Sequence, residues 1–398
     1  MKKPIYLDNQ STTQVDPRVL KAMLPYLKSE FGNPASTSHT FGTQAGKAVE
    51  ESRAKIQKLI GAEEAADIIF TSGATESNNL AIRGVAELYR DKGSHIITTQ
   101  IEHKSVLNTC EYLKAHGFQI TYLPVDETGL IRVSDLKRAI RKETILISVI
   151  YAHNEIGVVQ PIRQIGAIAR AHNIFFHTDA AQALGKIPFH VGNSGLQLAS
   201  VSAHKMYGPK GIGALYVRRK NPRTRLVPLL FGGGQEGGLR SGTLNVPAIV
   251  GFGKAAEISK KILNSESKRI LKLRERLRIG LSSKLDEVYV NGSLEHRLSG
   301  NLNVSFAFVE GGSLLDALSK KVAVSTGSAC ASSGTEPSYT LRALGVSEAS
   351  IHTSIRFGLG RFNTEKEIDD TIRYMVQVVK KLRRESAVYE RHLKDNIK

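Results

Sequence analysis

Over roughly the first two hundred residues, short runs of apolar and β-branched positions alternate with segments whose apolar residues recur at helical spacing. Residues 68–71, 95–99, 119–123, 145–150 and 174–178 read as strands. Between them lie amphipathic segments such as 45–60, in which Val49, Ile56, Leu59 and Ile60 share a face and Gly61 marks the stop. This alternation predicts an α/β unit built on a mostly parallel sheet covered on both faces. Residues 198–202 and 212–217 follow without a long helix between them and are expected to hairpin onto the same sheet. A long helical pattern begins near 251–256. Beyond it come a strand-like 302–308, a Gly/Ser-rich stretch and a helix starting at Glu365, which together predict a smaller α+β unit. No internal repeat is visible, and 398 residues exceed what one core usually supports.

Composition narrows the function classes. With 41% hydrophobic and 23% charged residues, the chain reads as folded and soluble. Its apolar runs fall far short of the roughly 20 residues a membrane helix needs. Met1-Lys2-Lys3-Pro4-Ile5-Tyr6 shows neither an export nor an import signal, so a cytoplasmic location is expected. Cys110 and Cys330 could make one bridge at most, so each is weighed as a thiol. The net charge of +18 raises the question of nucleic acid. Residues 205–225 hold seven basic and no acidic side chains, and residues 254–284 hold ten basic and three acidic ones. The second stretch has a helical apolar stripe, so its simplest reading is a solvated basic face. With no nucleic-acid motif and only 6% aromatics, nucleic-acid binding is not expected as the primary function.

In an open parallel sheet, ligands gather outside the carboxyl ends of strands, and here those ends are chemically dense. The strand 68–71 runs into Ser72-Gly73-Ala74-Thr75-Glu76-Ser77-Asn78, small residues opening a helix, which suits an anion such as phosphate. Glu102-His103, His153-Asn154-Glu155 and Asp179-Ala180-Ala181-Gln182 follow three more strands, and Ala203-His204-Lys205 a fourth. Pyridoxal phosphate uses all of these groups together: a lysine amine (Lys205), a carboxylate at the ring nitrogen (Asp179) and an anion cradle. His103 could stack on the ring and handle protons. Gly232-Gly233-Gly234 with Arg240-Ser241-Gly242-Thr243 offers a second phosphate loop, although a glycine triplet alone is only a turn. Cys330 lies among small residues with little to bury, an exposed and mobile setting that suits a reactive thiol. Cys110 instead reads as a residue of a packed helix.

These motifs resemble the cysteine desulfurases of iron–sulfur cluster assembly, within the class V aminotransferase group. The likeness runs through Tyr6-Leu7-Asp8-Asn9, Gly32-Asn33-Pro34, residues 70–79, Ala203-His204-Lys205, Arg240-Ser241-Gly242-Thr243, Gly327-Ser328-Ala329-Cys330 and Ser354-Ile355-Arg356-Phe357. The resemblance implies fold type I of the PLP-dependent transferases, with a seven-stranded sheet. It implies a large domain over residues 17–255 and a small one made of 1–16 plus 256–398. It further implies Lys205 as the cofactor lysine, Asp179 and Gln182 at the ring, and His103 above it. Ala74, Thr75, Ser202 and His204 would meet the phosphate, with Thr243 reaching it from the partner of a homodimer. Asn154, also counted among the cofactor contacts, and Arg356 would hold the substrate carboxylate, Arg356 by a two-pronged pair. Cys330 would take sulfur from L-cysteine as a persulfide and release alanine. The acceptors would be an iron–sulfur scaffold protein and others, including those of tRNA thiolation. No resident metal is implied, although Cys330 could touch a cluster through its persulfide. A selenocysteine lyase or another class V PLP enzyme is the alternative. Two departures stand out: Gly237 where relatives carry Arg, and a tail at residues 383–390 without the usual Pro and Trp, with Tyr389 as its remaining aromatic anchor.

Overall fold

The computed structural model describes residues 3–220, 223–326 and 337–395. Its twelve strands are β1 (Ile5–Tyr6), β2 (Ile68–Thr71), β3 (His95–Thr99), β4 (Gln119–Leu123), β5 (Thr144–Ser148), β6 (Phe175–Asp179), β7 (Leu198–Ser202), β8 (Gly213–Val217), β9 (Val288–Val290), β10 (Asn301–Phe306), β11 (Val322–Ala323) and β12 (Ser354–Gly358). Seven form the main sheet in the order β2-β8-β7-β6-β5-β3-β4. Only β8 runs against the others, pairing antiparallel with β2 and with β7. The expected α/β class, the mostly parallel sheet and the β7–β8 hairpin are therefore all present.

Burial on both faces explains the strand sequences. All residues of β2, β3, β5, β7 and β8 are buried, polar ones such as His95, Thr98, Thr99, Ser200 and Ser202 included, as a sheet covered on both faces requires. The cover includes helices Thr40–Ile60, Ala74–Leu88, Lys104–Ala115 and Ile162–Ala171. Thr40–Ile60 starts five residues before the periodicity predicts, capped by His39, whose side chain accepts from Gly42 N–H. It stops where expected because Gly61 adopts the left-handed conformation (φ 64°), which costs glycine little.

A second core lies apart from this sheet. Leu302, Val304 and Phe306 of β10 and Ile355 and Phe357 of β12 pack with Leu314, Leu318, Ile368 and Met375. Its sheet is antiparallel, in the order β12-β10-β9. The helix Val246–Ser282 serves both cores: Ile249, Phe252 and Ile258 belong to the first, and Ile270, Leu273, Leu277 and Leu281 to the second.

The basic stretch on this helix is less open than the sequence implies. Arg274 and Arg278 hold Glu275, Arg276 holds Asp369, and Arg269 donates to the carbonyls of Gly360, Arg361 and Asn363. Arg269 and Arg276 thus tie the helix to the carboxyl-terminal segment, while Lys260, Lys261, Lys268 and Lys272 stay exposed. Tyr389 is also committed within the chain. Its hydroxyl donates to Asp286 Oδ2 at 3.0 Å, its ring packs on Phe308 at 5.6 Å, and Arg383 lies over it. The tail's last aromatic therefore docks helix Ala387–Asp395 on its own domain and is not displayed as a free anchor. No helix among the described residues is long and apolar enough to cross a membrane.

Candidate active site

Because β2, β7, β6, β5 and β3 are mutually parallel, their carboxyl ends meet along one edge. A cavity of about 560 Å³ opens there, lined by Ala74, Thr75, His103, Asn154, Asp179, Gln182, Ser202, His204, Lys205 and Arg356 among others. Of the expected cofactor and substrate residues, only Thr243 is not brought to it within this chain. Thr243 lines a separate cavity of about 480 Å³ with Asn33, Arg53, Glu236 and Gly237. Cys330 lies outside the described residues. The glycine triplet 232–234 does not line the main cavity either. Its loop is held by Arg240 on Glu76 at 2.9 Å and by Glu236, which pairs with the buried Arg53 and accepts from Phe70 N–H on the edge strand β2. In that loop Gly237 has φ 62°, a conformation easier for glycine than for the arginine that the resemblance leads one to expect there.

β6 ends at Asp179, which is 4% exposed yet accepts at both oxygens, from Asn78 Nδ2 at 2.8 Å and from Ala181 N–H at 2.9 Å. The adjacent β7 ends at Ser202, and one 3-10 turn carries Lys205 over the edge. Its Nζ donates to the carbonyls of Gln10 (2.7 Å) and Ser11 (2.6 Å). Gln182 spans the floor, donating to Gln10 O and accepting from Lys186 Nζ. Burial, then the charges of Lys205 and Arg356, pulls the Lys186 amine down to about 7.

His103 caps the helix that follows β3. Its Nδ1 accepts from Ser105 N–H at 3.1 Å, so a neutral ring carries its proton on Nε2. Burial lowers its pKa, opposed by Asp179. Asn78 links the two, donating to both Asp179 Oδ2 and Ser105 Oγ. Below His103, Glu102 is fully buried: Oε1 accepts from Thr99 Oγ1 and from Ile150 N–H, and Oε2 has no partner. Burial raises its pKa to about 8, keeping it protonated at neutral pH.

The anion end is built by Gly73, whose φ of 156° turns the chain into helix Ala74–Leu88. A Cβ added there would meet nothing within 4 Å, so the backbone faces open space. The first N–H groups of a helix lack intrahelical acceptors and favour an anion. Thr75, Ser202 and His204 line the same cavity. Burial pushes His204 down to about 4, leaving a neutral ring.

The residues present fit pyridoxal phosphate: an amine at the cavity wall held by two backbone carbonyls, a carboxylate oriented at both oxygens, and an anion cradle at a helix N-terminus. Sequence reasoning gave no role to Asp8, Ser11, Asn78, Glu102 or Lys186. Asp8, Asn78 and Glu102 were visible as parts of motifs, but their roles depend on partners distant in sequence.

The profile of the aminotransferase class-V family matches residues 5–371. The chain is 56% identical over 390 residues to a protein named cysteine desulfurase IscS from Anaeromyxobacter sp. (strain Fw109-5), covering 98% of this chain and 96% of that one. It is 54% identical over 387 residues to a cysteine desulfurase IscS from Rickettsia typhi, covering 97% and 94%. The solved structure of a NifS-like protein superposes with a TM-score of 0.89 at 38% identity, covering 95% of this chain and all of that one. Sheet order, strand-end chemistry and these likenesses agree: the chain belongs to the aminotransferase class-V family and, within it, to the cysteine desulfurases.

Proposed function

We propose that this chain converts L-cysteine to L-alanine and carries the sulfur away as a persulfide on Cys330, for iron–sulfur cluster assembly and tRNA thiolation. The observation that carries this reading is the convergence of Lys205, Asp179, His103 and Arg356 on one cavity. Bound there, pyridoxal phosphate supplies an electron sink for the bonds at the amino acid's α-carbon. Lys205 anchors the cofactor and moves the α-proton. Asp179 holds the proton at the ring nitrogen, and Gln182 fixes the ring edge. Ala74, Thr75, Ser202 and His204 bind the phosphate, with Thr243 serving the site of a second copy in a homodimer. Asn154, beside the ring, and Arg356 orient the substrate carboxylate. His103, with its proton on Nε2, donates where Lys205 abstracts. The Cys330 thiolate attacks the substrate sulfur: an S–S bond forms, the Cβ–S bond breaks with its electron pair left on carbon, and a proton on that carbon completes alanine. In this reading residues 17–255 form the cofactor-binding domain, and 1–16 with 256–398 form the smaller domain carrying Cys330. The iron–sulfur scaffold and other acceptor proteins then collect the sulfur.

The test is alanine release and persulfide content in purified variants. Cys330→Ser is expected to bind cofactor and cysteine but to release no alanine and carry no persulfide, because an alcohol cannot form the S–S bond. Lys205→Ala is expected to lose turnover altogether. Wild-type alanine release from Cys330→Ser would overturn the assignment.

A further inference from the structure

Arg356 forms part of the cavity wall from β12, and both hydrogens of its Nη2 are engaged. Nη2 donates to Asp8 Oδ1 at 2.8 Å and to Ser11 Oγ at 2.7 Å, while Nη1 donates to Asn154 O at 3.2 Å. Nε is buried without a partner. Asp8 arrives from 348 residues away in sequence and is bridged to Gly358 on the arginine's own strand. Its side chain is 17% exposed, against 2% for Arg356.

A guanidinium offers a carboxylate two forks, Nε with Nη2 or Nη1 with Nη2, and both use Nη2. The hydrogens left over, on Nε and on Nη1, belong to different forks and cannot meet the two oxygens of one carboxylate. The two-pronged pair expected from the sequence therefore finds its shared nitrogen already taken by an internal carboxylate. Asp8 meets a separate need, since Arg356 alone would be a buried cation without a counter-charge.

We propose that Asp8 is a specificity-determining residue that competes with the substrate's α-carboxylate for Nη2 of Arg356. This rests on Arg356 being the carboxylate site of the proposed function. A docking carboxylate draws Nη2 away from Asp8 and leaves two like charges close together, so part of the attraction of Arg356 is cancelled. Affinity then depends on the ligand's other anchors, and a simple carboxylate that lacks them is disfavoured.

The experiment measures the dissociation constant of L-alanine by calorimetry, together with KM for cysteine, in the cofactor-loaded wild type, Asp8→Asn, Ser11→Ala and Arg356→Ala at fixed ionic strength. Asn keeps an acceptor for Nη2 but removes the charge. Asp8→Asn is expected to tighten L-alanine and lower KM on the order of tenfold. Ser11→Ala, which frees a hydrogen without changing charge, should shift either by no more than about twofold. Weaker or unchanged binding in Asp8→Asn, with weakened binding in Arg356→Ala, overturns the competition and leaves the proposed function standing. No effect of Arg356→Ala removes the carboxylate site and this inference with it. If Asp8→Asn does not fold, the wild type decides: L-alanine should bind no more than about tenfold tighter than L-alaninamide, in which an uncharged amide replaces the carboxylate, and a larger preference overturns the idea.

Discussion

Glu102 links stability to pH in a way that one substitution isolates. Its carboxyl, ordinarily ionising near 4.5, is held up near 8 by burial, while Oε1 ties the end of β3 to Ile150 N–H. A carboxyl whose folded pKa is raised contributes stability that is complete below about 4.5 and is lost as pH rises through about 8. Each pH unit in that window costs up to about 1.4 kcal/mol, so between pH 5 and 8 the loss approaches about 4 kcal/mol. Glu102→Gln retains both acceptor bonds and cannot ionise; its amide puts two N–H groups where the protonated carboxyl had one O–H, and the one extra unpartnered donor costs about 1–3 kcal/mol at every pH. The two stability curves should therefore converge and cross as pH rises, with the variant the more stable near pH 8. Buried His153, His177 and His204 slope the opposite way, their contribution being lost as pH falls below their ordinary value, but they act equally in both proteins. Urea unfolding at pH 5, 6, 7 and 8, at fixed protein and cofactor concentration, reads the difference directly. Parallel curves would refute the reasoning and mean that Glu102 is ionised in the fold.

Cys110 is fully buried, and burial pushes its thiol up to about 12. Cys110→Ser should therefore cost about 1–3 kcal/mol of stability by burying a hydroxyl, with alanine release unchanged in a cysteine turnover assay. Tyr389→Ala should release helix Ala387–Asp395 from Asp286 and Phe308, which limited proteolysis would detect as faster cleavage after Arg384 or Arg391, again without loss of turnover.

The parts of this protein that depend on neighbours a few residues away were legible in the sequence. Strand and helix positions followed from periodicity, because burial on two faces of a sheet selects continuous apolar runs and one helix face selects a 3.6-residue repeat. The carboxyl-end position of Asp179, Lys205 and His103 followed too, since a residue just past a strand must lie at the sheet's edge whatever the rest of the chain does. Tertiary structure alone decided how those groups are held. Nothing local to Arg356 announces that Asp8 will take its Nη2, nor that Gln10, from the far end of the chain, will hold both Lys205 and Gln182. Within the basic run on Val246–Ser282, Arg269 and Arg276 read as part of a solvated face until the carbonyls at 360–363 and Asp369 arrive to bind them. Tyr389 reads as a free anchor until Asp286 meets its hydroxyl. A side chain's free donors depend on which distant segments the packed cores bring beside it, and periodicity and spacing carry no record of that.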